Sequence, residues 1–534
     1  MSSSTPRRFG TAVLGGSLMA SGLVLGGPTP ASHAHGEADP APAALAAEWL
    51  ADEEAALTGF GGFGWGASID VALALKAVPG HQADVDALTD ALASHIGDYV
   101  TGESFGDTGS TYAGPAAKAA AYAAAVGEDP TAFGGDDLVT RVEGTVQESG
   151  RIEDVSLYGD YANVFGQIFA ARALTDHGSL EAPAVVDFLL DQQCASGGFR
   201  LDFTRTPDGD PNTPDPATDA GCADDASSVS NVDATALAVV TLEPLAASDT
   251  GIAAALEDAV AWLVAEQRPN GSFDDGDRIG PNANSTGLAG NALLAAEQHE
   301  PAEKAAAWLR SLQFNGTRCD GAAKPEIGAV AYDGAELRAA FDGGIVDRAK
   351  AARVVSQAIP ALLAAPESEE SLSFSARPFL NGGGKARIRV TGLAHGEPGC
   401  AGVGRFTDRV VGDADGRVVA LVRVPNRTGF VPLAVDSADN SVGAEWVALA
   451  AKDLDFVRRA RVARGGEQRV VVTGLWSGER VVVRQDGDVV ERGRATTRGR
   501  FVAVFRAPRA TGRHQLKVVG QFVDRVGRAS YRVG

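Results

Sequence analysis

From about Ala43 to Ala364 apolar residues recur at three- and four-residue intervals, broken by Gly, Pro and Asp, with Ala and Leu dominant. That period predicts amphipathic helices. A block repeats along this stretch. Trp49-Leu50, Phe188-Leu189 and Trp262-Leu263 are each followed eleven residues later by a phenylalanine, Phe60, Phe199 and Phe273, in a Gly-rich turn; Trp308-Leu309 keeps the phase with Cys319 in the aromatic slot. A second helix with a polar start follows each turn, beginning near Asp70, Asn163, Asp233, Ser285 and Asp333. Such residues accept the free amides of a first helical turn, so they read as N-caps. The unit is an outer helix, a turn tucking an aromatic inward and an Ala-rich inner helix that permits close approach. One pair cannot bury its own apolar face, so neighbours must stack, and six pairs are expected.

After the acidic segment Pro366-Glu-Ser-Glu-Glu the period switches to short alternating runs, which predict strands. Two copies of one module are visible. Arg387–Leu393 matches Arg469–Leu475, and Gly416–Pro425 matches Gly499–Pro508, an offset of 82 to 83 residues. Each copy offers about seven short strands, the pattern of a β-sandwich.

The outer-helix tails Gln192-Gln193-Cys-Ala-Ser-Gly-Gly-Phe199 and Glu266-Gln267-Arg-Pro-Asn-Gly-Ser-Phe273 resemble the glutamine/aromatic turn of squalene-hopene cyclases and the prenyltransferase β-subunit family. That resemblance spans residues 43 to 364 and implies an (α/α)6 toroid. The two later modules resemble the immunoglobulin-like sandwiches of bacterial surfaces. The expected plan is multidomain: a signal peptide over 1–34, an all-α toroid over 40–365, and two all-β sandwiches over 370–450 and 453–534.

The signal is read from Arg7-Arg8, an apolar run from Thr11 to Gly27, and Ser32-His33-Ala34 as a small-x-small cleavage site. No later run reaches the ~20 apolar residues of a membrane span. Export makes disulfides the default for Cys194, Cys222, Cys319 and Cys400. A Cys194–Cys222 bridge would close a loop within one repeat. A bridge from Cys319 to Cys400 would have to join two domains and is the less expected. Net charge is −22, but from Ala451 onward 19 Lys+Arg face 8 Asp+Glu. The basic module could lie on an anionic cell wall. Lacking interleaved aromatics and belonging to an exported chain, it does not read as a nucleic-acid binder.

Catalytic motifs are not evident. The cyclase resemblance implies an Asp-x-Asp-Asp acid, and the doublets Asp136-Asp137, Asp224-Asp225 and Asp274-Asp275 lack its spacing. Prenyltransferase zinc would need Asp, Cys and His together, and His81, His95, His177 and His299 align with no cysteine. Aromatics are 6% of the chain, which argues against an aromatic-lined cavity. A glycan-active pair of carboxylates remains open as the enzymatic alternative. Asp208, Asp210, Asn212, Asp215 and Asp219 space oxygen ligands as a calcium loop would, but without its turn Gly and with Asp in place of the terminal Glu. The preferred expectation is a secreted, non-catalytic binding or cell-surface protein. Asp70, Asn163, Asp233, Ser285 and Asp333 would gather at the toroid mouth around a small ligand. The order of toroid then β domain is similar to vitamin B12 carriers, so a corrinoid held between the domains is one candidate.

Overall fold

The computed structural model describes residues 38–53, 64–210, 212–275, 280–438, 440–450, 454–522 and 525–534. The export signal and Phe60 lie outside them. Fourteen α-helices are described: α1 (Ala41–Asp52), α2 (Trp65–Lys76), α3 (Gln82–Ser94), α4 (Ile96–Val100), α5 (Ala113–Val126), α6 (Leu138–Glu143), α7 (Val164–Asp176), α8 (Ala182–Leu190), α9 (Val232–Ala246), α10 (Thr250–Glu266), α11 (Ala283–Ala295), α12 (His299–Ser311), α13 (Gly334–Gly343) and α14 (Arg348–Leu362).

Six of them pack in sequence: α2 on α5, α5 on α7, α7 on α9, α9 on α11, α11 on α14, and α14 back on α2. Outside this circuit α1 covers α14 and α2, α3 covers α2, α6 covers α5 and α7, α8 covers α7, α10 covers α9 and α11, and α12 covers α11 and α14. One continuous apolar core, rich in alanine, joins all of these helices. Alanine and glycine are what allow it. Gly114 and Gly166 meet where α5 crosses α7, and a Cβ at Gly166 would stand 2.8 Å from the Gly114 Cα.

The glutamines of the repeat turns tie one pair to the next. The Gln193 amide donates to the carbonyls of Gly197 (2.7 Å) and Ala255 in α10 (2.7 Å). Gln267 donates to Gly271 (3.2 Å) and Pro301 in α12 (2.8 Å). Gln313 donates to Gly328 (3.1 Å) and to Pro42 in α1 (2.8 Å), joining the last outer helix to the first. A side chain at Gly328 (φ +100°) would run into the Leu45 carbonyl, so glycine is required for that contact. Phe199 and Phe273 are fully buried at these turns, as the repeat predicts. Phe314, not Cys319, is the buried aromatic of the last one.

Two readings of the helical part are corrected. The sixth member of the circuit is α14; α13, capped by Asp333, packs instead on the 3₁₀ turn Arg318–Ala323. Only Asn163 and Asp333 of the five polar starts cap helices. Asn231 caps α9 and Asn282 caps α11, because these helices begin earlier than the apolar period indicates, and Asp70 lies in the middle of α2.

The β region contains β1 (Ser373–Ser375), β2 (Phe379–Gly382), β3 (Lys385–Thr391), β4 (Pro398–Val403), β5 (Phe406–Val411), β6 (Arg417–Arg423), β7 (Gly429–Asp436) and β8 (Ser441–Ala450). A second set follows: β9 (Phe456–Arg458), β10 (Arg461–Val462), β11 (Glu467–Val472), β12 (Arg480–Gln485), β13 (Asp488–Arg494), β14 (Phe501–Arg506), β15 (Gly512–Val519) and β16 (Val526–Val533). The first forms sheets β1-β3-β6 and β2-β8-β7-β4-β5; the second forms β9-β11-β14 and β10-β16-β15-β12-β13. Strand for strand the topologies are the same, each with one parallel pair, β2 with β8 and β10 with β16. Each module has its own core.

The first module is bound to the helical region by a disulfide between Cys319 and Cys400, which corrects the expectation that this pair was the less favoured. Docking of β4 on the Arg318–Ala323 turn brings the two Cα atoms to 5.4 Å, a proximity no sequence separation reveals. Arg318 pairs with Asp436 (2.6 Å), Asn315 donates to the Pro398 carbonyl (2.7 Å), and Arg409 donates to Ser311 (3.0 Å). The expected Cys194–Cys222 bridge is also present. Both bridges are consistent with an extracellular location. Among the described residues no helix is long and apolar enough to cross a membrane.

Candidate functional site

The circuit of inner helices encloses a cavity of about 730 Å³. Its wall is aromatic, which overturns the expectation drawn from composition. Tyr99, Phe105, Tyr112, Tyr158, Tyr161, Phe165 and Phe169 line it, with Leu237 and Leu288 from the opposite helices. The aromatics are few in the chain but concentrated between residues 99 and 169. That local density of tyrosine was the signal a whole-chain percentage conceals.

Three carboxylates stand at or behind this wall in different electrostatic states. Asp70 is paired with Lys118 at 2.6 Å, and the same ammonium donates to the Gly66 carbonyl (2.9 Å) and lies 5.9 Å from the Phe169 ring centre. Asp154 accepts the backbone amides of Ala113 (2.7 Å) and Tyr161 (3.0 Å). Burial pushes its carboxyl above the usual range, although those amides oppose the shift. Asp107 accepts from the Ser156 hydroxyl (2.7 Å), the Leu157 amide (3.0 Å) and the Tyr112 hydroxyl (3.4 Å); the Ser156 bond first, then the Leu157 amide, lowers its pKa. Asp107 thereby fastens the loops that carry the aromatic wall. Burial, with Asp70 nearby, raises the Tyr99 phenol well beyond its ordinary range.

Of the five residues expected at the mouth, Asp70 and Asn163 line the cavity. Asp233 and Ser285 face one another from α9 and α11 one turn from Leu237 and Leu288. The Asp233 carboxyl is pushed up to about 6 by burial, against the Ser285 hydrogen bond and with the Asp275 charge adding to the rise. Its Oδ1 is buried with no hydrogen-bond partner among the described residues. Asp333 caps α13, accepting from Ala335 and Glu336 (both 2.8 Å). The cavity wall also includes Gln357 from α14, whose Oε1 has no described partner. Neither Gln357 nor the capping Asn231 and Asn282 stood out in the sequence. The shared Asn–apolar start of Asn163-Val164, Asn231-Val232 and Asn282-Ala283 would have given the caps.

The acidic insertion does not assemble as a coordination sphere. Asp208 caps the Asp210 amide (2.9 Å), Asp210 accepts from the Asn212 amide (2.9 Å), and Asp215 accepts from the Asp208 amide (3.2 Å). Asp219 is turned away to Arg151 (3.2 Å) and Ser149 (2.9 Å). Among the described residues no group of three or more His, Cys, Asp or Glu is placed to hold a metal ion. Short Asx turns hold these side chains locally. The cavity lining comes from the helical region alone, so no residue of the docked module contributes to it.

The architecture is thus a helical region with a central cavity followed by β-rich modules. No protein-family profile matches the chain, and no curated protein does. Similar solved structures include terpene cyclases and adhesins. A type II terpene cyclase, MstE from Scytonema, is 15% identical over 60% of this chain and 96% of its own, with a TM-score of 0.42. The ent-copalyl diphosphate synthase from Streptomyces platensis is 14% identical over 56% of this chain and 50% of its own, with a TM-score of 0.34. The Yersinia pseudotuberculosis adhesin InvE is 15% identical over 30% of this chain and 60% of its own, with a TM-score of 0.17. The chain therefore spans only half to three-fifths of the synthase and adhesin. At these scores the likenesses say nothing of activity.

Proposed function

We propose that this is a secreted binding protein whose helical region is an (α/α)6 toroid that holds an apolar small molecule in its lumen, carried on two immunoglobulin-like sandwiches. One observation carries the reading: a cavity of about 730 Å³ walled by seven aromatic side chains. Cavities of this size with mostly apolar walls and a few placed polar groups are where small ligands bury most of their surface. The carboxylates do not form a reaction centre in this reading, since Asp70 is neutralised by Lys118 and both oxygens of Asp154 hold backbone amides. A lining drawn entirely from the helical region and its loops favours an apolar ligand inside the ring over a corrinoid seated between the domains. The test is a titration of the full chain with a fluorescent lipophilic probe. Saturable binding weakened at least tenfold by Phe169→Asp supports it; non-saturating or unaltered binding overturns it.

A second reading has one observation in its favour. Asp233, raised to about 6 with an unpartnered oxygen, has the environment of a general acid. A cyclase-like reaction would make linear isoprenoids disappear on incubation, and Asp233→Asn would abolish the loss. Unchanged isoprenoids remove it.

A further inference from the structure

The mouth of the cavity leaves aromatic faces uncovered. Phe105, Tyr158 and Tyr161 are 48%, 50% and 63% exposed, a costly arrangement for large apolar rings unless something covers them. Phe105 and Tyr158 stand with ring centres 6.1 Å apart. Tyr112 completes the group from the start of α5, its hydroxyl held by Asp107. At the base lies Asp154, bound to the amides of the residues that follow Tyr112 and precede Ala162.

The charge around this group is unbalanced. Asp154 has no ion-pair partner within 4.0 Å among the described residues, whereas the neighbouring Asp160 is matched by Arg151 at 3.0 Å. Arg205, whose charge acts on Asp154, spends its guanidinium on the carbonyls of Asp160 (2.8 Å), Asp215 (2.8 Å) and Ala162 (3.2 Å). A carboxylate and several aromatic rings lining one cavity attract one chemical class above others, a cation too bulky and weakly hydrated to need hydrogen bonds.

We propose that Asp154 with Tyr112, Tyr158, Tyr161 and Phe105 forms a cage for an alkylated ammonium group, so that the ligand is a cationic amphiphile with its head at the mouth and its tail in the lumen. The proposal rests on the reading of the lumen as an apolar binding cavity and adds the head group. Asp107 acts as the positioning residue, since it fastens the loops on which the rings stand.

Calorimetric titration of the full chain with dodecyltrimethylammonium, the neutral dodecyl maltoside, and tetramethylammonium alone separates the two ideas. The ammonium amphiphile is expected to bind at least about tenfold tighter than the neutral one. Tyr161→Leu keeps the backbone bond to Asp154 and changes no charge, so a general attraction to an acidic protein is unaffected by it. The substitution is expected to weaken ammonium binding about three- to tenfold and leave the neutral amphiphile unchanged. Equal affinity for both heads, or an equal loss for both in Tyr161→Leu, overturns the cage. Tetramethylammonium binding without any amphiphile binding supports the cage and overturns the lumen reading.

Discussion

The two β modules have one topology and two different relations to the rest of the chain. In the first, Cys400, Arg409 and Asp436 all reach the helical region. At the matching positions of the second, read from the strand registers, stand Val482, Arg492 and Val519, so the thiol and the carboxylate are lost and the arginine that is kept is exposed. The buried glutamates make the same point. Glu397 lies 3.8 Å from Arg310 of α12, while its counterpart Glu479 is paired with Arg525 inside its own module, both fully buried. A duplicated backbone has thus been turned into a docked module and a self-contained one by a few side chains, and the contact between the two modules includes Phe430 edge-on to Trp476 at 5.1 Å. Docking is a property of surface chemistry, which a conserved strand order leaves free to vary.

The comparison breaks most sharply at the disulfide. Replacing Cys319 and Cys400 by Ser is expected to cost about 4.5 kcal/mol on the loop-entropy scale, against about 3.5 for Cys194 and Cys222. Denaturant unfolding measures both, and only the first pair should separate the unfolding of module one from that of the helices. Next comes Glu479→Gln, which strands the buried Arg525 charge and is expected to cost about 3 kcal/mol; Glu397→Gln should cost about 1, because Arg310 keeps Asp39 at 2.8 Å. Equal losses would mean that the two glutamates do the same work.

The helical region offers a larger pH response, on the acid side of neutrality. Asp233, raised to about 6 by burial, stabilises most below the ordinary carboxyl value, and that contribution is lost as pH rises through about 6. Asp233→Asn should remove the slope and leave the chain more stable at neutral pH by about 2 kcal/mol, read from melting curves at pH 4 and 7. The smallest effect belongs to module two. His514, held by Asp486 at 2.6 Å, has its pKa raised first by that hydrogen bond. Its contribution is complete below the ordinary histidine value and disappears as pH rises through the raised one. Val431 occupies the matching place in module one, so amide exchange around β15 should quicken above neutrality while that around β7 does not.

What the sequence determined by itself is local. The helical period, the buried Phe199 and Phe273, the switch to alternation after Pro366 and the 82-residue duplication all follow from side chains within a few residues of one another. The Cys194–Cys222 bridge belongs with them, since both ends lie in one repeat. Tertiary structure alone decided the rest. Seven aromatics became one wall because helices α5 and α7 and the loops before them converge, and Asp70 on α2 found Lys118 on α5. Cys319 met Cys400 because a sandwich docked on a turn, and Asp219 met Arg151. These pairings join residues tens of positions apart, and their energies depend on burial and distance, which the order of residues along a chain does not contain.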